Sequence, residues 1–184
     1  MYHNPVLLKE SVEGLNIKED GIYVDVTYGG GGHSREILKY LTTGKLYAFD
    51  QDDDAFANKV NDERLILIKQ NFKYMKNFLK MYNALPVDGI LADLGVSSMQ
   101  IDNPDRGFSF KVEGPLDLRL NPKSGKPVSA FLRTVTQQRL EEILQLNSDE
   151  PHAAGISKLI VSKIAQGKPI ETTTQLQQTI QEAL

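Results

Sequence analysis

Apolar positions in the first half of the chain fall into two alternating patterns. Four short, mainly apolar runs of strand length cover residues 22–26, 45–50, 65–68 and 89–92, and the last two are continuously apolar. Continuous apolar runs are typical of strands covered on both faces, as in a parallel sheet. Between them, apolar residues recur at helical spacing: Ile37, Leu38 and Leu41, and then Met75, Phe78, Leu79 and Tyr82. This alternation predicts an α/β fold built on a doubly wound parallel sheet.

Three lysines lie opposite the second helical stripe. Lys73, Lys76 and Lys80, with aromatic residues between them, resemble a nucleic-acid-binding pattern. A helix that packs its apolar face on the sheet and exposes its charged face accounts for the same spacing. We adopt that simpler interpretation here.

The second half of the chain has a different pattern of residues. Residues 94–127 carry four prolines and little periodicity, and a helical pattern follows from about Ser129. The segment Gly167-Lys168-Pro169 is typical of a helix end, and residues 171–174 offer an N-cap for a last helix. These patterns predict two domains, residues 1–103 with the sheet and residues 104–184 as a helical domain.

The fourth apolar run poses a problem for the sheet. Its composition suits a strand with a neighbour on each side, and an exposed edge strand favours association with another chain. We therefore expect that the polypeptide is part of a longer protein or that something else covers this edge, with self-association as one outcome.

Composition excludes several classes of protein. The 184 residues contain no cysteine, which excludes a disulfide scaffold, a cysteine zinc site and a thiol nucleophile. The 40% hydrophobic content is too high for a disordered chain, yet no stretch approaches the roughly 20 apolar residues of a membrane span. The first residues do not have the pattern of a secretory signal, so we predict a cytoplasmic protein with no membrane partner.

Charge adds one candidate interaction site. Arg119, Lys123, Lys126 and Arg133 follow one another with no acidic residue between them, and such a stretch can meet phosphates. A solvated loop explains the same charges, and charge alone favours it. A non-catalytic RNA-binding module around residues 119–133 therefore stays open as one alternative function.

The strongest chemical signal is the glycine cluster Gly29–Gly32, which follows the first strand and opens a helix. Glycines allow a ligand to approach the backbone, and a helix N-terminus favours negative charge. Asp50 ends the second strand, 25 residues after Asp25, where a carboxylate suits the two hydroxyls of an adenosine ribose. Together they indicate an adenosine-containing cofactor without specifying which.

A nicotinamide dinucleotide is the second candidate. Read from Gly29, the dinucleotide fingerprint has Ser34 in place of its third glycine, and the four glycines with His33 depart from the usual pattern. An NAD-dependent oxidoreductase is therefore the other alternative function. No metal site is predicted, because neither His3 nor His152 has a sequence relation to His33.

Two further positions follow predicted strands. Asp93 begins a loop after the fourth strand, and Phe72 follows the third strand at the same edge of the sheet. Ligands of open α/β sheets bind beyond the carboxyl ends of the strands. Asp93 is thus a candidate site residue, while Phe72 is equally compatible with stacking on a purine and with the core.

Five segments carry a resemblance to a known family. They are residues 3–8 (HNPVLL), 29–34 (GGGGHS), 93–98 (DLGVSS), 106–110 (RGFSF) and 114–119 (GPLDLR). In this order they resemble the bacterial ribosomal RNA small subunit methyltransferase H family. The likeness is looser from Ser129 onward, where residues 147–152 replace a glycine-acid-acid stretch of the family.

The resemblance implies an S-adenosylmethionine-dependent enzyme that methylates the N4 amine of a cytidine in 16S ribosomal RNA of the small subunit. It implies a Rossmann-like class I methyltransferase sheet with a helical domain inserted after the fourth strand. Family members then return to the sheet and carry a Ser-Phe-His-Ser-Leu-Glu motif that this sequence lacks. We therefore expect an amino-terminal portion of such an enzyme, inactive by itself.

The resemblance also implies roles for individual residues. The methionine end of the cofactor would lie at Gly31, Gly32 and His33, the ribose at Asp50 and the adenine at Phe72. Asp93 and Gln100 would complete the cofactor site. The catalytic residues are not identified, although Asp93 and Ser97 are candidates for the acceptor of the N4 proton.

Overall fold

The computed structural model describes residues 5–57 and 59–184, so His3 and Asn4 of the first resemblance segment lie outside the described residues. The chain divides into two compact units, Met1–Met99 and Gln100–Leu184. In the described part of the chain, no helix is both long and apolar enough to span a membrane.

The first unit contains a parallel sheet built from the four predicted strands. They are β1 (Ile22–Asp25), β2 (Lys45–Asp50), β3 (Leu65–Lys69) and β4 (Gly89–Leu91). Their order is β3-β2-β1-β4, and every pair is parallel. This order is the first part of a doubly wound sheet, which confirms the predicted fold class.

Four helices accompany these strands within residues 5–57 and 59–99. They are α1 (Leu8–Gly14), α2 (Gly32–Tyr40), α3 (Asp53–Ala57) and α4 (Met75–Met81), with a 3-10 turn at Phe72–Tyr74 before α4. The pattern of apolar residues predicted neither α1 nor α3. Asp53 and Asp54 occupy the first turn of α3, where acidic side chains stabilise the helix dipole.

Both faces of the sheet are covered, as the continuous apolar runs require. Tyr23 of β1 packs with Ile37 and Leu38 of α2 in one core cluster. Val24, the next residue of β1, packs with Leu79 of α4 in another cluster. Successive strand residues therefore enter opposite cores.

The predicted stripe of α4 is only partly buried. Leu79 is buried and Met75 and Phe78 pack against the core, but Tyr82 is 43% exposed. Tyr82 follows the end of the helix, and its ring lies 5.5 Å from that of Tyr47. The stripe therefore reaches the sheet at Tyr82 without burying this residue.

Strand β4 is an edge of the sheet in the part of the chain that the structure describes. Its central residue Ile90 is 47% exposed. Self-association through this edge stays a prediction.

Helix α5 (Ser98–Asp102) spans the boundary between the two units. The second unit is helical, with α6 (Val128–Leu132), α7 (Gln137–Ser148), α8 (Ala153–Ala165) and α9 (Thr173–Ala183). Leu116, Leu140, Ile156 and Ile160 belong to its core. The predicted N-cap is confirmed, because Thr172 and Gln175 form a reciprocal capping box at the start of α9.

Candidate functional site

The order in which strands join the sheet changes direction after β3, which creates a topological switch point between β1 and β4. The first three strands are added toward β3, whereas β4 pairs on the opposite side of β1. Loops that leave such a switch point diverge and open a crevice at the carboxyl ends of the strands, where open α/β sheets bind ligands. Thr27 joins the two loops, because its Oγ1 accepts a hydrogen bond of 2.8 Å from the backbone N–H of Asp93.

Asp50 lies at the carboxyl end of β2, beside the glycine loop. Its Oδ2 accepts a hydrogen bond of 2.8 Å from the backbone N–H of Gly29, and its Oδ1 accepts one of 2.9 Å from that of Asp52. Each carboxylate oxygen has two lone pairs. The two backbone bonds therefore fix the carboxylate and leave acceptor capacity for hydroxyl groups of a ligand.

The glycine loop brings the N-terminus of α2 to the same edge. Gly31 is the N-cap residue of α2 in the left-handed region, with φ of 74°, and no side chain caps the helix. A Cβ at Gly31 would lie 2.7 Å from the hydroxyl oxygen of the buried Tyr28. The N–H groups of an uncapped first turn are free to bind an anionic group.

His33 is the second residue of α2 and is only 5% exposed. Its Nδ1 lies 3.9 Å from Oδ2 of Asp93, which is beyond hydrogen-bond distance. Its Nε2 is buried and has no hydrogen-bond partner among the described residues. Because a buried polar atom without a partner is costly, this nitrogen fits a site that a polar ligand completes.

Asp25 and Ser34 form a buried pair that supports this loop, and neither residue was predicted to have this role. Both side chains are fully buried, and the Ser34 hydroxyl donates a hydrogen bond of 2.7 Å to Oδ2 of Asp25. Thr27 donates its backbone N–H to Oδ1 at 3.0 Å. Burial raises the pKa of Asp25, and the Ser34 and Thr27 bonds act in the opposite direction. Their positions on either side of the glycines were the available signal, since hydroxyl and carboxyl groups commonly fix such turns.

The remaining candidates lie on three different elements of the chain. Phe72 is the first residue of the turn after β3 and is 44% exposed, so it is not a core residue. The side chain of Asp93 is 56% exposed in the loop after β4. Gln100 is buried within α5 at the start of the second unit. The roles of Phe72, Asp93 and Gln100 in a cofactor site stay predictions.

The residues at the switch point fit a cofactor with an anionic end and vicinal hydroxyls. The N-terminus of α2 and the unpartnered nitrogen of His33 suit the anionic end, and Asp50 suits the hydroxyls. Within residues 5–57 and 59–184, no group of three or more histidine, aspartate and glutamate side chains could hold a metal ion.

Comparison with known proteins agrees with the resemblance. The model of the MraW methylase family matches residues 1–184. The chain is 51% identical over 178 residues to the ribosomal RNA small subunit methyltransferase H of Christiangramia forsetii, covering 95% of this chain and 58% of that protein. It is 47% identical over 184 residues to the protein of the same name from Flavobacterium johnsoniae, covering all of this chain and 61% of the relative. The chain thus spans about 60% of the length of these curated relatives.

Among solved structures, the chain is similar to one from Anabaena variabilis that is provisionally described as a methyltransferase of an antibiotic biosynthesis pathway. That likeness covers 78% of this chain and 60% of the other, with 16% identity and a TM-score of 0.38, which is too low to bear on the fold. None of these names supports an oxidoreductase or a non-catalytic RNA-binding module. The match over the whole sequence and the identity to the two relatives show that the chain belongs to the MraW methylase family.

Proposed function

We propose that this chain provides the cofactor site of an S-adenosylmethionine-dependent methyltransferase that acts on the N4 amine of a cytidine in 16S ribosomal RNA. The observation that carries the proposal is the fixed Asp50 carboxylate beside the uncapped α2 and the unpartnered His33 nitrogen. The names of the relatives support the methyl donor and the ribosomal RNA substrate.

The proposed contacts follow the chemistry of each group. The first turn of α2, with Gly31, Gly32 and His33, would hold the methionine carboxylate, because its N–H groups and its dipole favour an anion. Asp50 would accept hydrogen bonds from the ribose hydroxyls. Phe72 would lie against the adenine, since an exposed ring at this edge offers a stacking surface. Asp93 and Gln100 would complete the site.

S-adenosylmethionine supplies an electrophilic methyl group on a sulfonium. The residues of this chain then have two tasks, which are to align the N4 amine with that methyl group and to accept the N4 proton as positive charge develops on the nitrogen. Asp93 and Ser97 lie on the loop after β4 and are the candidate acceptors. Asp93 has the more exposed side chain, so it is accessible to a base that enters from solvent.

Calorimetric titration tests the cofactor site. We expect wild-type protein to bind S-adenosylmethionine in preference to NAD. Asp50→Asn should weaken binding by roughly 10- to 150-fold, since a hydrogen bond to a charged group contributes about 1.5–3 kcal/mol. Asp20→Asn is the matched control, because Asp20 is exposed and precedes β1 at the amino edge of the sheet. Equal affinity of the two variants, or binding of NAD alone, would contradict the proposal.

The RNA substrate requires a separate measurement. Nucleoside mass spectrometry of 16S ribosomal RNA from cells that lack the gene for this chain should show the loss of a methyl group from the N4 atom of one cytidine. An unchanged content of methylated cytidine would rule out the assigned substrate and leave the cofactor assignment to be judged by the titration.

A further inference from the structure

Positive charge is concentrated in one segment of the first unit. Residues 1–99 carry 11 lysine and arginine residues and 14 aspartate and glutamate residues. Five of these cations lie within residues 64–87, which contain no acidic residue. The rest of the unit is therefore strongly acidic, and this segment is a local exception.

Two of the five cations are already paired. Arg64 donates to the carboxylate of Asp62, and Lys69 forms an ion pair with Asp53. In the described part of the chain, no carboxylate lies within ion-pair distance of Lys73, Lys76 or Lys80, and all three side chains are exposed. The structure thus leaves their charges to solvent or to a partner.

The three lysines form one stripe along the turn at Phe72–Tyr74 and α4. Their spacing of three and four residues places them on one helical face, over about 10 Å of axis. Phe78 lies on the opposite side of the helix and packs against the core. The stripe begins immediately after Phe72, at the carboxyl edge of the sheet where the cofactor site is proposed, and extends away from it.

Aromatic rings accompany the lysines. Tyr74 is 42% exposed, and the Nζ atom of Lys73 lies 4.8 Å from the centre of its ring. Surfaces that bind single-stranded nucleic acid combine cations along the backbone with aromatic rings for the bases. These lysines and the exposed ring of Tyr74 present the same combination.

We infer that the lysine stripe, defined as Lys73, Lys76 and Lys80, binds the phosphate backbone of the substrate RNA and leads the strand toward the carboxyl edge of the sheet. This inference rests on the proposed function, which makes RNA the partner. Charge complementarity fits any polyanion, and the position of the stripe beside the proposed cofactor site favours RNA over an anionic membrane surface. Each lysine would neutralise one phosphate, and the contact carries no sequence preference.

The test is a salt titration of RNA binding by the 184-residue chain without cofactor. Fluorescence anisotropy with a labelled single-stranded RNA of about 20 nucleotides gives the slope of log affinity against log salt between roughly 0.05 and 0.2 M KCl. Substitution of all three lysines by glutamine should reduce this slope by about 2 and weaken binding roughly a hundredfold at about 0.1 M, because each single-strand phosphate contact contributes about 0.7 to the slope.

Two control variants carry matched changes. Lys59, Lys158 and Lys168 are exposed lysines outside the segment, and their replacement by glutamine changes the net charge equally but should leave the slope unchanged. Replacement of the stripe lysines by arginine keeps the charge and should restore the wild-type slope. Circular dichroism of each variant establishes that the fold is intact.

Each result decides for or against the inference. A reduced slope for the stripe variant alone supports it. Equal slopes for the stripe and control variants overturn it, as does lysine-dependent binding to phosphatidylserine vesicles without binding to RNA. Failure of S-adenosylmethionine to bind would count against the proposed function alone, since the RNA titration contains no cofactor.

Discussion

Replacement of Ser34 by alanine tests the support of the glycine loop. The Ser34 hydroxyl donates to Oδ2 of Asp25 at 2.7 Å, and both side chains have no exposed surface. Water cannot take the place of the lost donor without an opening of the core. The carboxylate would then keep the backbone N–H of Thr27 as its strong donor.

The expected cost is about 2 kcal/mol of unfolding free energy, because removal of the donor leaves a buried acceptor with a desolvation penalty of roughly 1–3 kcal/mol. Burial raises the pKa of Asp25 above its ordinary value of 3.8, so folding favours the protonated form and stability falls as pH rises through the folded pKa. Loss of the hydroxyl raises this pKa further, so the cost of Ser34→Ala should grow as pH rises.

The assay can follow the first unit alone. All seven tyrosines precede residue 100 and the chain has no tryptophan, so tyrosine fluorescence reports unfolding of that unit. In urea, a loss of about 2 kcal/mol should lower the midpoint by roughly 1–2 M at about pH 7. The shift should be smaller at acidic pH, where more of Asp25 is protonated.

Ser11→Ala is the matched control, because Ser11 lies in α1 of the same unit and is only half-buried. Its cost should stay within about 0.5 kcal/mol. In the Asp25→Asn background, Ser34→Ala should lower the free energy of unfolding by no more than a neutral hydrogen bond contributes, which is about 0.5–1.5 kcal/mol. An equal midpoint for Ser34→Ala and Ser11→Ala at neutral pH, or an undiminished cost of Ser34→Ala in the Asp25→Asn background, would refute the reasoning.

Two further predictions concern the same unit. The Arg64 guanidinium lowers the pKa of Asp62 to about 2, so this pair stabilises the fold above pH 3.8 and its contribution is lost as pH falls toward 2. In urea titrations, Asp62→Asn should cost about 1–2 kcal/mol at neutral pH, after allowance for solvent screening, and almost nothing at about pH 2. If the destabilisation by Asp62→Asn did not change with pH, this linkage would be contradicted. Gly31→Ala places a Cβ against Tyr28 at a φ of 74° and should cost about 1–3 kcal/mol and weaken binding of S-adenosylmethionine. Gly30→Ala, with no atom within 4 Å of its Cβ, should be mild in both measurements, and equal effects would dismiss the steric argument.

Local patterns were sufficient where the signal lies within a few neighbouring residues. The runs at 22–26 and 45–50 predicted strands that the structure confirms almost to the residue. The capping signal at Thr172 succeeded for the same reason, since the two partners are three residues apart. Helix α3 was missed because its five residues are too few for periodicity to register.

The candidate site was predicted in part. Asp50 and the glycine loop were selected from spacing, and the backbone bond from Gly29 to Asp50 joins them directly. The roles of Ser34 and Thr27 were missed, because their value depends on the burial of Asp25. Burial of a polar residue is a property of the packed fold, which no single segment reveals.

By itself, the sequence determined the strands, most of the longer helices and the chemistry of the glycine loop, because hydrophobic periodicity and turn residues act over short distances. Only the tertiary structure decided that β4 pairs with β1, which brings Thr27 to the backbone of Asp93. It also decided which side chains lost contact with water, leaving the nitrogen of His33 without a partner among the described residues while Tyr82 stayed exposed. Strand pairing and burial are set by contacts between segments that are distant in the sequence. These contacts stabilise the protein only when the core is assembled.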